Sequence, residues 1–215
     1  GAVGDGSGHR LTIFATDASG NIRRASAAAA SPAQPPHFSD TANYWPSAYV
    51  DYLYTSGITT GYADGTFRPS RNISRQEFAV MLYRYLGLSA GAYESVELPF
   101  ADLDQIGDFA LTAVKALYTE GILNGTMGSD GRLYFKPASS ITRAQAAAMM
   151  GRTQPKGYTE STLSFTDTAS IPAYAGYYVS TMVSQGVISG YEDGSFRPNS
   201  PISRGQMAKI LYNLL

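Results

Sequence analysis

Three arginines occupy the same place in three repeated segments, and their chemistry is the most distinctive in the chain. They are Arg75, Arg143 and Arg204, in the segments ISRQE, ITRAQ and ISRGQ. Each is predicted at the first position of a helix, where a cation is unfavourable by about 0.3–1 kcal/mol because it opposes the helix dipole. Helix N-termini attract anions, and a guanidinium binds a carboxylate or phosphate through two parallel hydrogen bonds. The pattern therefore favours an anion clamp.

A structural ion pair is the alternative interpretation of these arginines. Each repeat begins with the motif F-x-D, and its aspartate is a candidate partner. The three aspartates are Asp40, Asp102 and Asp167. The arginines either clamp an anionic ligand or pair with these carboxylates, and both roles can coexist in one site.

The residues around each arginine fit the capping box S/T-x-x-E/Q, which marks the start of a helix. The pairs are Ser74 with Glu77, Thr142 with Gln145 and Ser203 with Gln206. We therefore expect these six residues to serve the helix and not a ligand.

An aromatic residue recurs twelve residues before the glycine that ends the first predicted helix of each repeat. The three are Trp45, Phe109 and Tyr174. We expect Phe109 to pack in the core. Trp45 is the only tryptophan, and its indole is interpreted either as a core side chain or as a flat apolar platform with an N–H for a sugar ring.

In the first and third repeats, a tyrosine precedes an Asp-Gly turn, in the segments that begin at Tyr62 and Tyr191. The second repeat lacks this tyrosine and has the segment TMGSDG at 126–131 in the same place. These turns offer too few acidic ligands for calcium, so we expect no metal site. The aspartates of the F-x-D motif recur beside helix starts, as capping residues do. With no cysteine and only two histidines as well, the sequence predicts no enzyme activity and no cofactor.

The composition excludes several further classes of protein. The chain has 215 residues, with 16 Lys+Arg against 17 Asp+Glu and a formal net charge of -1. It therefore lacks the basic surplus that is typical of nucleic-acid binding. No apolar run approaches the 18 residues of a membrane span. A hydrophobic content of 44% is enough for a packed core.

Each repeat is predicted to fold as helix, loop and helix. The first helix ends at a glycine, Gly57, Gly121 or Gly186, since glycine readily takes the left-handed conformation that terminates helices. Apolar residues spaced by three and four predict one buried face per helix. A two-helix unit cannot bury that face alone, so the units must stack. Either an open array or a ring about a pseudo-threefold axis satisfies this need.

The first 37 residues have a different pattern. Leu11, Ile13 and Ala15 alternate as in a strand, a turn follows at 17–21, and Ile22 begins another strand. Residues 1–24 resemble the end of a bacterial immunoglobulin-like domain, and we expect them to be the remnant of a preceding β-rich module. Residues 25–37 are predicted to be an Ala/Pro linker.

The combined motif of F-x-D, G-[IV]-x-x-G, D-G-x-F-[RK]-P and [ST]-R-x-[EQ] resembles the S-layer homology domain. Three copies follow one another at 38–99, 100–164 and 165–215, the first two with a linker. The resemblance implies an all-α fold in which three repeats close into a three-pronged spindle around a central helical bundle. It also implies an extracellular module on the bacterial cell wall, tethered to a secondary cell wall polymer that carries pyruvylated N-acetylmannosamine.

The resemblance further implies a set of carbohydrate-binding residues in the grooves between repeats. These are Arg75, Arg143 and Arg204, which match the arginine of the family's T-R-A-E motif, with Trp45, Asp40, Asp102, Asp167, Tyr62 and Tyr191. The second repeat departs from the pattern because it lacks the tyrosine loop, so the grooves at Tyr62 and Tyr191 are expected to be the more intact ones. The alternative function is a protein-interaction module for S-layer lattice assembly or partner docking.

Overall fold

A computed structural model of the chain describes residues 12–16, 22–26, 37–42, 44–154 and 160–214. The chain forms two compact units, Gly1–Pro35 and Pro36–Leu215. In the first unit, strands β1 (Thr12–Thr16) and β2 (Ile22–Ser26) pair antiparallel. This hairpin confirms the predicted strands. The assignment to an immunoglobulin-like remnant and the domain boundaries stay predictions.

The described residues of the second unit form six α-helices, two in each repeat, which confirms the predicted predominance of helix. They are α1 (Ser47–Thr55), α2 (Arg75–Tyr85), α3 (Asp108–Thr119), α4 (Arg143–Arg152), α5 (Ala173–Ser184) and α6 (Arg204–Asn213). Short 3₁₀ helices lie at Ala90–Tyr93, Leu103–Gln105 and Thr168–Ser170. Within the described ranges, every helix is too short or too polar to cross a membrane.

The second helix of every repeat begins with the predicted capping box. In α2, the Ser74 hydroxyl accepts a hydrogen bond from the Glu77 amide at 3.3 Å, and the Glu77 carboxylate accepts one from the Ser74 amide at 2.9 Å. The same reciprocal bonds begin α4 and α6. Two N–H groups that the helix itself cannot satisfy are thereby bonded at each start.

The second repeat differs from the predicted plain loop. Its loop is four residues longer than those of the other repeats and contains a small antiparallel hairpin of β3 (Thr126–Met127) and β4 (Leu133–Tyr134). Asp130 stabilises the turn, since its carboxylate accepts hydrogen bonds from the Tyr134 hydroxyl at 2.6 Å and the Arg132 amide at 3.1 Å. The longer loop is therefore an ordered structure that extends the surface beside the second repeat.

Helices of different repeats pack on one another. The second helix of a repeat contacts the first helix of the next, as α2 does with α3 and α4 with α5, and α6 contacts α1. Three fully buried isoleucines join the repeats through their backbones. The Ile73 amide donates to the Ile202 carbonyl at 3.0 Å, Ile202 to Ile141 at 3.1 Å, and Ile141 to Ile73 at 3.1 Å. The last repeat therefore contacts the first.

Candidate functional site

The three arginines of the repeated motif are buried, and each reaches into the following repeat. Only 5–7% of each residue is exposed. The Nε group donates a hydrogen bond of 2.7 Å to a phenylalanine carbonyl: Arg75 to Phe135, Arg143 to Phe196, and Arg204 to Phe67. Since these carbonyls belong to the next repeat in cyclic order, each arginine is a fixed bridge between repeats.

In two of the three arginines, an Nη group also donates a hydrogen bond to the following repeat. Arg75 donates to the Asn124 carbonyl at 3.2 Å, and Arg143 donates to the Ser189 carbonyl at 3.0 Å. Burial lowers the pKa of both guanidinium groups. An arginine nevertheless stays charged in proteins, so both sites carry a fixed positive charge.

The F-x-D aspartates, the candidate ion-pair partners of these arginines, accept hydrogen bonds from backbone amides. Asp102, which is buried, accepts hydrogen bonds from the Phe135 amide at 2.8 Å and the Lys136 amide at 2.7 Å. Asp40 and Asp167 make the same two bonds in the other repeats. A direct role for the three aspartates in carbohydrate binding stays a prediction.

These aspartates hold the F-[RK]-P loop in an uncommon conformation. Arg68, Lys136 and Arg197 have φ angles of 56°, 57° and 57°, in the left-handed region that residues other than glycine seldom adopt. A carboxylate that accepts two successive amides stabilises this turn. Because the preceding phenylalanine gives its amide to the aspartate and its carbonyl to the arginine, the aspartate fixes the acceptor that orients the arginine.

Two open grooves contain the arginines of the first and second repeats. The Arg75 groove has a volume of about 450 Å³. It is lined by Arg75, Asn124, Gly125, Thr126, Met127, Gln145, Ala148, Met149, Arg152 and Tyr174. The Arg143 groove has a volume of about 400 Å³. It is lined by Trp45, Arg143, Gly186, Val187, Ile188, Ser189, Gly190, Tyr191, Gln206, Lys209, Ile210 and Asn213.

The recurring aromatics are exposed. Trp45 is 54% exposed and lines the Arg143 groove, and Tyr174 is 50% exposed and lines the Arg75 groove. Phe109 is 62% exposed, so its predicted place in the core is wrong. The buried residues of α3 begin at Ala110 and follow a helical spacing that leaves Phe109 off the core-facing side.

The third junction, between Arg204 and the first repeat, holds an acidic residue. Glu77 Oε1 accepts hydrogen bonds from the Tyr62 hydroxyl and from Arg71 Nη1, both at 2.6 Å, and lies 3.8 Å from Arg204 Nη1. Burial raises the pKa of this carboxyl, but hydrogen bonds from Tyr62, Ser74 and Arg71 outweigh it and lower the pKa to about 2. The described residues include no group of three or more acidic or histidine side chains that could hold a metal ion.

Sequence reasoning missed several groove residues. The capping motif predicts only a structural role for Gln145 and Gln206, and no motif marks Arg152 and Lys209, yet all four line grooves. They lie on one face of α4 or α6, because positions three and seven residues after the capping glutamine point the same way. The second-repeat loop lines a groove through Thr126 and Met127, and the expectation that this groove is the less intact one stays a prediction.

Comparison with known proteins identifies the same three repeats. The sequence profile of the S-layer homology domain matches residues 37–79, 99–147 and 164–208. An endoglucanase of Bacillus sp. (strain KSM-635) is 33% identical over 178 residues, which cover 80% of this chain and 18% of that protein. The surface-layer 125 kDa protein of Lysinibacillus sphaericus is 30% identical over 186 residues, which cover 84% of this chain and 15% of that protein.

The cellulosome-anchoring protein of Acetivibrio thermocellus is 27% identical over 147 residues, which cover 68% of this chain and 31% of that protein. The chain thus spans less than a third of the length of each of these relatives. Together the matches indicate a cell-surface, cell-wall-associated protein, as the sequence predicts. The chain belongs to the S-layer homology domain family.

Proposed function

We propose that this module anchors its protein non-covalently to the bacterial cell wall by binding an acidic secondary cell wall polymer. The grooves between repeats hold the terminal sugar of the polymer. Its acidic group is a carboxylate, as on pyruvylated N-acetylmannosamine, and a buried arginine binds it. The module binds without catalysis, and any catalytic activity of the whole protein belongs to other domains.

The observation that carries this proposal is the lining of the two grooves. Each combines a buried arginine with a second cation, Arg152 beside Arg75 and Lys209 beside Arg143. Neither groove has a carboxylate among its described lining residues. A positively charged recess of this kind selects an anion, and it does so in a chain whose net charge is only -1.

The geometry of the arginine suits a carboxylate. A guanidinium carries five N–H groups in a fixed plane. In Arg75 and Arg143, the Nε group and one Nη group hold backbone carbonyls of the next repeat. The backbone therefore orients the guanidinium plane before any ligand arrives, and the remaining N–H groups bind the carboxylate. A preoriented donor loses little entropy when the ligand binds.

An exposed aromatic in each groove supplies the platform for the sugar ring. Trp45 and Tyr174 offer flat apolar faces. In each groove the aromatic comes from neither the repeat that bears the arginine nor the repeat whose carbonyls the arginine bonds. A pyranose ring has an apolar face of its own, which packs on an aromatic ring while its carboxylate reaches the arginine. The neutral glycan and its acidic substituent are thus recognised by separate parts of the groove.

We also infer that the three repeats close into the pseudo-threefold spindle that the family resemblance implies. The cyclic bonds of Ile73, Ile141 and Ile202 and the contact of α6 with α1 support this arrangement. In a closed assembly each groove is built from three repeats, so no repeat binds the polymer alone.

Co-sedimentation with cell-wall sacculi tests the proposal. We expect the module to pellet with sacculi that carry the polymer and to stay in the supernatant after chemical removal of that polymer. Equal pelleting in both cases would contradict polymer recognition. Self-association of the module without any glycan, together with indifference to the polymer, would favour a protein-interaction module instead.

A further inference from the structure

An aromatic stripe runs from the Arg143 groove across the junction of α1 and α6. It consists of Trp45, Tyr49, Tyr52 and Tyr212. The ring centroids are 6.3 Å apart between Trp45 and Tyr49 and 5.0 Å apart between Tyr49 and Tyr212. The Tyr52 ring meets the Tyr212 ring edge-on, with the centroids 5.2 Å apart. Because Trp45 also lines the groove, the stripe continues the groove wall beyond the proposed site of the terminal sugar.

The stripe is accessible to a ligand. Trp45 is 54% exposed. The three tyrosines pack against the core with part of each side chain and leave the rest in solvent. Lys209 borders the stripe, since its Nζ atom lies 5.7 Å from the centroid of the Trp45 ring and Tyr212 follows it by three residues on α6. The stripe therefore combines flat apolar ring faces with an ammonium donor at its edge, a combination that suits a sugar.

Packing between the helices does not account for the whole stripe. Each of the other two junctions has one large and one small residue at the positions of Tyr49 and Tyr212. These pairs are Tyr178 with Gly151, on α5 and α4, and Ala113 with Tyr83, on α3 and α2. Tyr178 fills the space over Gly151, because a Cβ atom there would lie 2.7 Å from the tyrosine ring. One tyrosine is thus enough to pack such a junction, and the junction of α1 and α6 has two.

The position of the stripe favours the next sugar of the polymer as its occupant. A sugar that is covalently linked to the terminal sugar is held beside the groove, so it meets the stripe at a high effective concentration. The contacts of the stripe can then be weak individually, and tyrosine rings supply them at a small entropic cost. A separate protein partner would have no such advantage and would need a much larger interface.

We propose that the rings of Tyr49 and Tyr212 form a second sugar subsite, which binds the sugar next to the acidic terminus of the polymer. This inference rests on the proposed function and extends it from the terminal sugar to the polymer chain. The Arg143 groove and the stripe together recognise two linked sugars. Beside the Arg75 groove, Gly151 occupies the position of Tyr212, so the paired rings belong to one groove and not to the other.

Titration followed by tryptophan fluorescence tests the inference, because Trp45 is the only tryptophan and lines the Arg143 groove. The two probes are the methyl glycoside of pyruvylated N-acetylmannosamine and fragments of the wall polymer that have at least one further sugar and retain the acidic terminus. The measured quantity is the ratio of their dissociation constants within each variant. We expect the fragments to bind the wild type about fivefold more tightly than the monosaccharide does, and Tyr49→Ala and Tyr212→Ala to lose this gain.

Two further variants serve as controls. Tyr49→Phe retains the ring and should retain the wild-type ratio. Tyr83→Ala is the matched control, since Tyr83 occupies on α2 the position that Tyr212 occupies on α6 but lines neither groove. We expect it to retain the ratio as well. Circular dichroism checks the fold of every variant, and the ratio in the wild type tests the inference even where an alanine variant does not fold.

Three results would overturn the inference and leave the proposed function intact. They are equal affinity of the wild type for both probes, a wild-type ratio in both Tyr49→Ala and Tyr212→Ala, and an equal loss of the ratio in Tyr83→Ala. A wild type that binds neither probe would instead contradict the proposed function, and the inference with it.

Discussion

Arg204 of the third repeat donates a hydrogen bond of 2.7 Å from Nε to the carbonyl oxygen of Phe67 in the first repeat, 137 residues away along the chain. Phe67 is fully buried, and its amide is held by Asp40. The bond therefore joins the two ends of the repeat array through a rigid loop. We therefore expect Arg204 to contribute to the stability of the fold, although its sequence motif predicts a role in binding.

Replacing Arg204 by alanine should destabilise the second unit by about 2–3 kcal/mol, because it leaves the buried Phe67 carbonyl without its charged donor. Urea unfolding followed by circular dichroism measures this loss. Arg132→Ala is the control, since the Arg132 side chain is 62% exposed and its contacts are a surface ion pair with Asp130 and a ring contact with Tyr134. Equal stability of the two variants would show that the bond to Phe67 does not hold the repeats together.

Asp102→Ala should destabilise the protein by about 2–4 kcal/mol, because the buried amide of Phe135 and the neighbouring amide of Lys136 both lose their acceptor. The left-handed backbone of Lys136 would also lose its support. Asp104→Ala, an exposed acid two residues away, should stay within about 0.5 kcal/mol of the wild type. Thermal or urea unfolding of both variants measures the difference in stability. If Asp102→Ala were as stable as the wild type, the proposed support of the Phe135–Lys136 turn by Asp102 would be wrong.

Much of the fold could be predicted from the sequence, because its signals are local. The capping boxes at Ser74, Thr142 and Ser203 and the helix-ending glycines depend only on neighbouring residues. The partners of Arg75 and Asp102 could not be predicted in the same way. Each bonds backbone atoms that no side-chain pattern marks, and in the case of Arg75 these atoms belong to another repeat.

The exposed aromatics illustrate a second limit of sequence reasoning. Phe109 and Tyr174 occupy the same position in their repeats, and both are exposed, although only the tyrosine carries a polar group. Hydrophobicity alone predicted a core position for Phe109. The buried face of α3 is instead defined by Ala110 and the buried residues that follow it at helical spacing, and Phe109 lies off that face. Which residues form the buried face depends on where the helix begins.

Trp45→Ala should weaken glycan binding at the Arg143 groove by about 1 kcal/mol, roughly fivefold in Kd, and leave stability unchanged because the side chain is half exposed. As the only tryptophan, Trp45 also makes the wild-type fluorescence a report on this groove. Phe109→Ala is the matched control, since its aromatic ring is exposed but lines neither groove. Binding that falls equally in both variants would argue against a sugar platform at Trp45.

Acid should destabilise the module through Glu77. Its pKa is lowered from 4.5 to about 2 in the folded state, so the carboxylate contributes stability above pH 4.5 that is lost as the pH falls toward 2. Glu77→Gln should flatten this part of the pH profile. Urea unfolding at about pH 6 and about pH 3 measures the difference, and an unchanged slope in the variant would show that Glu77 is not the titrating group.

Displacement from sacculi tests the central claim most directly. The module is first bound to sacculi that carry the acidic polymer and is then challenged with soluble N-acetylmannosaminide, either with or without its pyruvate ketal. The account predicts release by the pyruvylated sugar and retention with the ketal-free sugar at equal concentration. Equal release by both sugars, or by neither, would contradict recognition of an acidic terminus in these grooves.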